Sequence, residues 1–171
     1  MRFRIGYVWD ALAVLAIVLI AWRLIFVPHD FSRSYPAPHA IYQRLSGPPF
    51  HVTGARGKLL FLDFFASWCE PCRQELPAIQ RYAKAHPEVD VMPVDVGEPR
   101  VVAATFAAQL HLGNVAFDSR ALSRGFFELE GFPTVVVIDP RGQVRAIWAG
   151  YDSAIADAMA NAESHLLPSR Q

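Results

Sequence analysis

The arrangement of apolar positions changes character several times along the chain. Tyr7 to Val27 is almost wholly apolar, broken only by Asp10 and Arg23. Ala11 to Trp22 has no charge and no polar stripe, which excludes an amphipathic surface helix. As a helix, the 21 residues reach about 31 Å at ~1.5 Å per residue, matching a hydrocarbon core of roughly 30 Å. Proline then dominates: Pro28, Pro36, Pro38, Pro48 and Pro49 interrupt a stretch with little periodicity, which reads as a tether and an irregular lead into a domain. Leu59 to Ala66 (LLFLDFFA) is continuous apolar sequence around a single Asp, the pattern of a strand buried on both faces. Glu70 to Lys84 has helical spacing through Leu76, Ile79 and Ala83, with Pro77 expected to kink it.

Further on, Val89 to Val96 predicts a second strand and Arg100 to Leu110 a helix. Val115 to Asp118 is short and extended, and Leu122 to Phe127 makes a further helical turn or two. Thr134 to Asp139 and Val144 to Ala149 form a hairpin about Pro140-Arg141-Gly142-Gln143. A last helix, capped by Asp152 or Ser153, runs through Leu167. The pattern divides the chain into an N-terminal segment (1–27), a Pro-rich linker (28–46) and one α/β domain (47–171).

Composition narrows the function. Sixteen basic and sixteen acidic residues give no net charge and no basic footprint for nucleic acid. The apolar N-terminal segment is expected to be an uncleaved membrane anchor in preference to a cleaved signal peptide, because Ser32 and Ser34 make a poor cleavage site beside Pro36. Arg2 and Arg4 favour a cytoplasmic N-terminus, and either reading exports the remainder.

Two cysteines exclude a disulfide-rich scaffold and a four-cysteine zinc site. They lie together in Trp68-Cys69-Glu70-Pro71-Cys72, where a buried strand meets a helix. Orphan N–H groups and the helix dipole stabilise an anion there, which biases Cys69 toward thiolate. Cys72 is one turn further on, within reach of the first sulfur, and Pro71 suits a first helical turn. A structural disulfide would close too small a loop to constrain the unfolded chain much. Cys-x-x-Cys is also a zinc half-site, but the six histidines are scattered with no i, i+4 pair. Redox cycling of Cys69 and Cys72 is therefore the preferred chemistry, with no metal site expected.

DFFASWCEPC followed later by GFPT resembles the thioredoxin superfamily, over about residues 47 to 167. Cys-Glu-Pro-Cys, Glu75 three residues after the second Cys, and Val-Asp-Val-Gly-Glu resemble its membrane-tethered TlpA/ResA subgroup. The resemblance implies a three-layer fold with a central mixed β-sheet flanked by helices, here preceded by one transmembrane helix. It further implies an extracytoplasmic thiol-disulfide oxidoreductase, in several members serving cytochrome c maturation. Cys69 then matches the exposed nucleophile and Cys72 the buried resolving thiol. Trp68 matches the flanking aromatic, and Pro133 a cis-proline preceded by the substrate-pairing backbone of Phe132. Glu70 and Pro71, between the cysteines, join the substrate-facing residues. Asp63, which interrupts the apolar strand, matches the buried acid of thioredoxins, where many TlpA/ResA members have Asn. Glu75 matches the active-site acid of ResA-like members. Glu98 is equally well explained by a turn, and Arg73 is expected to face water.

The implied protein lies in a bacterial inner membrane with its catalytic domain in the periplasm. It needs no organic cofactor. It takes protein disulfides or thiols as substrates and a membrane thiol-disulfide protein as electron donor. The acids around Cys69 oppose its thiolate and favour a reductant. The alternatives are an oxidase of the same fold, or a soft-metal delivery module using Cys69 and Cys72.

Overall fold

The computed structural model describes residues 12–18, 31–55 and 57–167. Residues 12–18 form a short exposed helix, α1. The rest of the predicted span Tyr7 to Val27 lies outside the described residues, among which no helix is long and apolar enough to cross a membrane.

Eight strands form one sheet: β1 Tyr35–Pro36, β2 Ile41–Arg44, β3 Phe50–His51, β4 Leu60–Phe65, β5 Asp90–Val96, β6 Ala116–Asp118, β7 Thr134–Ile138 and β8 Gln143–Ala149. Their order is β1-β8-β7-β4-β5-β6-β2-β3. β4, β5 and β6 are parallel, and the remaining pairings are antiparallel. The helices are α2 Glu70–Ala85, α3 Arg100–Gln109, α4 Leu122–Phe127 and α5 Ile155–Leu166.

The two parallel crossovers, β4-α2-β5 and β5-α3-β6, step in the same direction across the sheet. Right-handed connections therefore put α2 and α3 on one face. The core agrees with this. Leu59 and Phe61 pack with Ile79 and Tyr82 of α2 and Met159 of α5, and Phe65 packs with Leu76 of α2 and Phe106 of α3. The alternate residues Leu60, Leu62 and Phe64 point to the other face, against Tyr42, Phe127 and Leu129. All six residues of β4 are buried, as the unbroken apolar run predicts.

The stretch expected to be a linker is partly sheet. Tyr35–Pro36 pairs with β8, and Ile41–Arg44 pairs with both β3 and β6, so the folded unit reaches back at least to Tyr35 rather than beginning at residue 47. β1 is a short edge strand, which tolerates its Pro36, and β2 is only four residues between prolines, so composition concealed both. Tyr42 fixes β2 by packing its ring edge-on to Phe64 and accepting a hydrogen bond from the Ser123 hydroxyl at 3.0 Å. Pro77 lies inside an uninterrupted α2. Asp152 does not cap α5 itself; its carboxylate accepts from the Ala154 N–H, at the N-cap position, at 2.8 Å.

Candidate active site

β4 delivers the chain to the start of α2, and the loop between them carries Ser67, Trp68 and Cys69. Cys69 is the N-cap of α2, with extended backbone (φ −81°, ψ 100°), and its Sγ accepts the Cys72 N–H at 3.2 Å. The sulfur therefore takes one of the orphan donors of the first turn. Pro71 occupies that turn, where its missing N–H leaves no bond unmade. Cys69 and Cys72 are joined as a disulfide.

Both sulfurs sit in an apolar cluster of Phe65, Leu76, Phe106, Ala107, Leu112 and Val115. Cys72 is fully buried and Cys69 is only 3% exposed. The nucleophile expected to be exposed is thus nearly covered in the oxidised protein, because the cluster closes around it. Trp68 is 67% exposed, which excludes a core-packing role. Its ring lies 5.8 Å from that of Phe132, which also packs against the cysteine cluster. The Phe132–Pro133 bond is cis, and the Pro133 carbonyl accepts from the Gly150 N–H at 2.8 Å. The GFPT segment therefore reaches the cluster around the disulfide through Phe132. Glu70 stands in solvent, 3.7 Å from the Arg73 guanidinium.

Two pairs of carboxyl groups flank this arrangement. Asp63 shares a sheet face with Leu59 and Phe61, the face covered by α2. It is buried, and neither carboxyl oxygen has a hydrogen-bond partner. Burial, and then the charge of Glu75, hold its pKa well above the usual carboxylate range. Glu75 lies one turn beyond Cys72 on α2, also buried. Its Oε2 accepts the Asp152 N–H at 2.9 Å. Burial dominates that one bond and pushes its pKa up to about 7, with the Asp152 charge adding to the rise.

Asp95 lies level with Phe65 on the adjacent strand, so it shares the face of Asp63. It too is buried. Burial, and then the neighbouring Glu98 carboxylate, push it up to about 8. Gly97, at φ +87°, turns the chain between them. Glu98 accepts the Ser67 N–H at 2.6 Å and the Ser67 hydroxyl at 2.7 Å. It is thus an anchor of the loop before Cys69, a role no local pattern revealed. The only sign of Asp95 was an Asp between two valines of a buried strand, the same signal that exposed Asp63.

Arg73, expected in water, is held instead. It donates to the Ser67 carbonyl at 3.0 Å, stacks 4.5 Å over the Phe106 ring, and reaches Gln109 at 3.4 Å. These residues line an open cleft of about 240 Å³ beside Ser67. A separate cluster, His86, Glu88 and Glu163, lies at the other end of α2.

Chemically, the site is a disulfide poised on a helix N-terminus, backed by buried acids of which Glu75 and Asp95 are pushed up to about 7 and about 8. The AhpC/TSA family pattern matches residues 34–147. The thiol-disulfide oxidoreductase ResA of Geobacillus thermodenitrificans is 30% identical over 117 residues, covering 67% of each chain. ResA of Bacillus subtilis is 27% identical, covering 76% of this chain and 75% of its own. A thiol:disulfide interchange protein of Chlorobium tepidum superposes with a TM-score of 0.69 at 26% identity, covering 80% of this chain and 99% of its own. Fold, disulfide and relatives agree: the chain belongs to the AhpC/TSA family and, within the thioredoxin superfamily, to its TlpA/ResA-like thiol-disulfide oxidoreductases.

Proposed function

We propose that this protein reduces protein disulfides outside the cytoplasmic membrane, tethered by the apolar segment Tyr7 to Val27. The observation that carries the direction is the buried acid behind the disulfide. Glu75, pushed up to about 7, is one turn from Cys72. Once ionised, it opposes a thiolate nearby. No Lys or His lies between Leu59 and Tyr82, and Arg73 is engaged with Ser67 and Phe106. A disulfide is strongly oxidising only when its reduced form is well stabilised; these charges work against that.

The reaction runs in two exchanges. The Cys69 thiolate attacks one sulfur of the substrate disulfide, forming a mixed disulfide and releasing the first substrate thiolate, which takes a proton from water. Glu75, as carboxylate, accepts the Cys72 proton. The Cys72 sulfur then attacks Cys69 Sγ, re-forming the Cys69–Cys72 disulfide and releasing the second substrate thiolate, to which the proton passes. Two electrons move from the cysteine pair to the substrate. They are restored by a dithiol donor, for which a membrane thiol-disulfide protein is the fitting class. No organic cofactor enters the cycle. Trp68, Phe132 and Pro133 supply the substrate-facing surface, and a cysteine-bearing protein of cytochrome c assembly is the substrate class the family resemblance supports.

Equilibration of the cysteine pair against a glutathione buffer tests this reading. The expected potential is nearer ~−270 mV than ~−120 mV. A value at the oxidising end would reverse the direction. Stoichiometric Cu(I) binding to the reduced protein, with no disulfide turnover, would replace the enzyme reading with metal delivery.

A further inference from the structure

The C-terminal end of α2 carries a second constellation, remote in sequence from the cysteine pair. His86 caps the helix, its backbone N–H donating to the Tyr82 carbonyl at 3.0 Å. Its Nδ1 lies 2.9 Å from Glu163 Oε2, on α5, and 3.5 Å from Glu88 Oε1. All three donor atoms fall within 4.8 Å of one another, and all three residues are partly buried. Two further contacts fix the geometry. The Tyr82 hydroxyl donates to Glu163 Oε2 at 2.6 Å. The Tyr82 ring stacks on the imidazole at 4.1 Å and 9°, setting the plane in which Nδ1 points.

We propose that His86, Glu88 and Glu163 form a binding site for a divalent transition-metal ion of the zinc class, tying α2 to α5. Three features carry this. First, a tetrahedral ion with ligands at about 2.0–2.1 Å sets them about 3.3 Å apart, and the two His86 separations of 2.9 and 3.5 Å bracket that edge. Second, one imidazole and two carboxylates are the nitrogen and oxygen donors that zinc takes. Third, Tyr82 supplies the outer support that metal-bound carboxylates and imidazoles usually have, a hydrogen bond to one ligand and a fixed plane for another. The imidazole selects against calcium and magnesium, which take oxygen ligands in larger numbers.

The test uses the oxidised full-length chain, in which neither cysteine can ligate, titrated with Zn²⁺ alone. One equivalent is expected to bind saturably, and Tm to rise with zinc concentration. X-ray absorption on that wild-type complex should show one imidazole, carboxylate oxygen and no sulfur. His86→Ala and Glu163→Gln should each abolish the Tm shift. Tyr82→Phe should weaken binding about tenfold. Thiol turnover in these variants should match wild type, which also confirms folding. A Tm that ignores zinc, a shift that survives His86→Ala, or a sulfur shell in the absorption spectrum would each overturn the site. If the variants fail to fold, the wild-type titration and spectrum still decide it.

Discussion

The two carboxyl pairs beside the disulfide are built from the same parts and end with different tasks. Asp63 and Asp95 occupy neighbouring parallel strands, on one sheet face, and both are buried. Each is coupled to a glutamate. The glutamates differ in what they hold. Glu75 takes one backbone N–H, from Asp152, and burial keeps it protonatable near neutral pH. Glu98 takes two short bonds from Ser67, in the loop that leads into Cys69. The first pair is suited to moving a proton and the second to fixing a loop. Residue type does not decide the role of a buried acid; the number and origin of its donors do.

The comparison depends on both pairs acting through the cysteines, so removing Cys72 has the largest effect. Cys72→Ser should abolish turnover while accumulating disulfide-linked adducts through Cys69, visible on non-reducing gels. If no adducts form under conditions where wild type turns over, Cys69 is not the attacking thiol and neither pair has the chemistry assigned.

Glu75→Gln comes next. The folded pKa of about 7 exceeds the ordinary 4.5, so the folded state binds this proton more tightly than the unfolded one. Its contribution to stability is complete below about 4.5 and is lost as pH rises to about 7. Gln keeps an acceptor for the Asp152 N–H and cannot ionise. The variant should gain up to about 3 kcal/mol over wild type at pH 8 and nothing at pH 4, while exchange slows. Denaturant midpoints at the two pH values check it; equal differences at both would remove the proton-carrying role.

Replacing Glu98 should leave the Ser67 N–H and hydroxyl without their acceptor. Glu98→Ala should cost about 1–3 kcal/mol, and Glu98→Gln less, with the pH profile of exchange unchanged in both. A shifted profile would merge the two pairs into one proton network. The smallest effect belongs to Asp63→Asn. Burial and the Glu75 charge both favour the neutral form of Asp63, so the amide should change stability at pH 7 by less than about 1 kcal/mol, within the range of near-isosteric swaps. A large loss, measured in the same denaturant series, would mean that Asp63 is ionised in the folded protein.

Much of this was legible in the chain. LLFLDFFA announces a doubly buried strand, because only burial on both faces favours apolar residues at every position. Trp68 to Cys72 announces a cysteine pair at a helix start, since Pro71 and the strand before it fix that boundary. Family resemblance singled out Phe132 and Pro133; the bond between them is cis, and the Phe132 ring lies 5.8 Å from that of Trp68. Other features were hidden because their partners are distant in sequence. Arg73 reads as a solvent residue until Phe106 and Gln109 arrive from α3. β1 and β2 read as linker because their strand character rests on pairing, with β8 for β1 and with β3 and β6 for β2.

The sequence alone therefore determined the periodic elements, the position of the reactive pair, and the presence of an acid in a buried strand, all consequences of side-chain pattern within a few residues. Tertiary structure decided which charges meet. Glu98 with Ser67, Glu75 with the Asp152 N–H, and His86 with Glu163 join residues 31, 77 and 77 positions apart. The raised pKa of Glu75 depends on burial, and these contacts on partners supplied by other elements, which exist only once the helices have closed over the sheet.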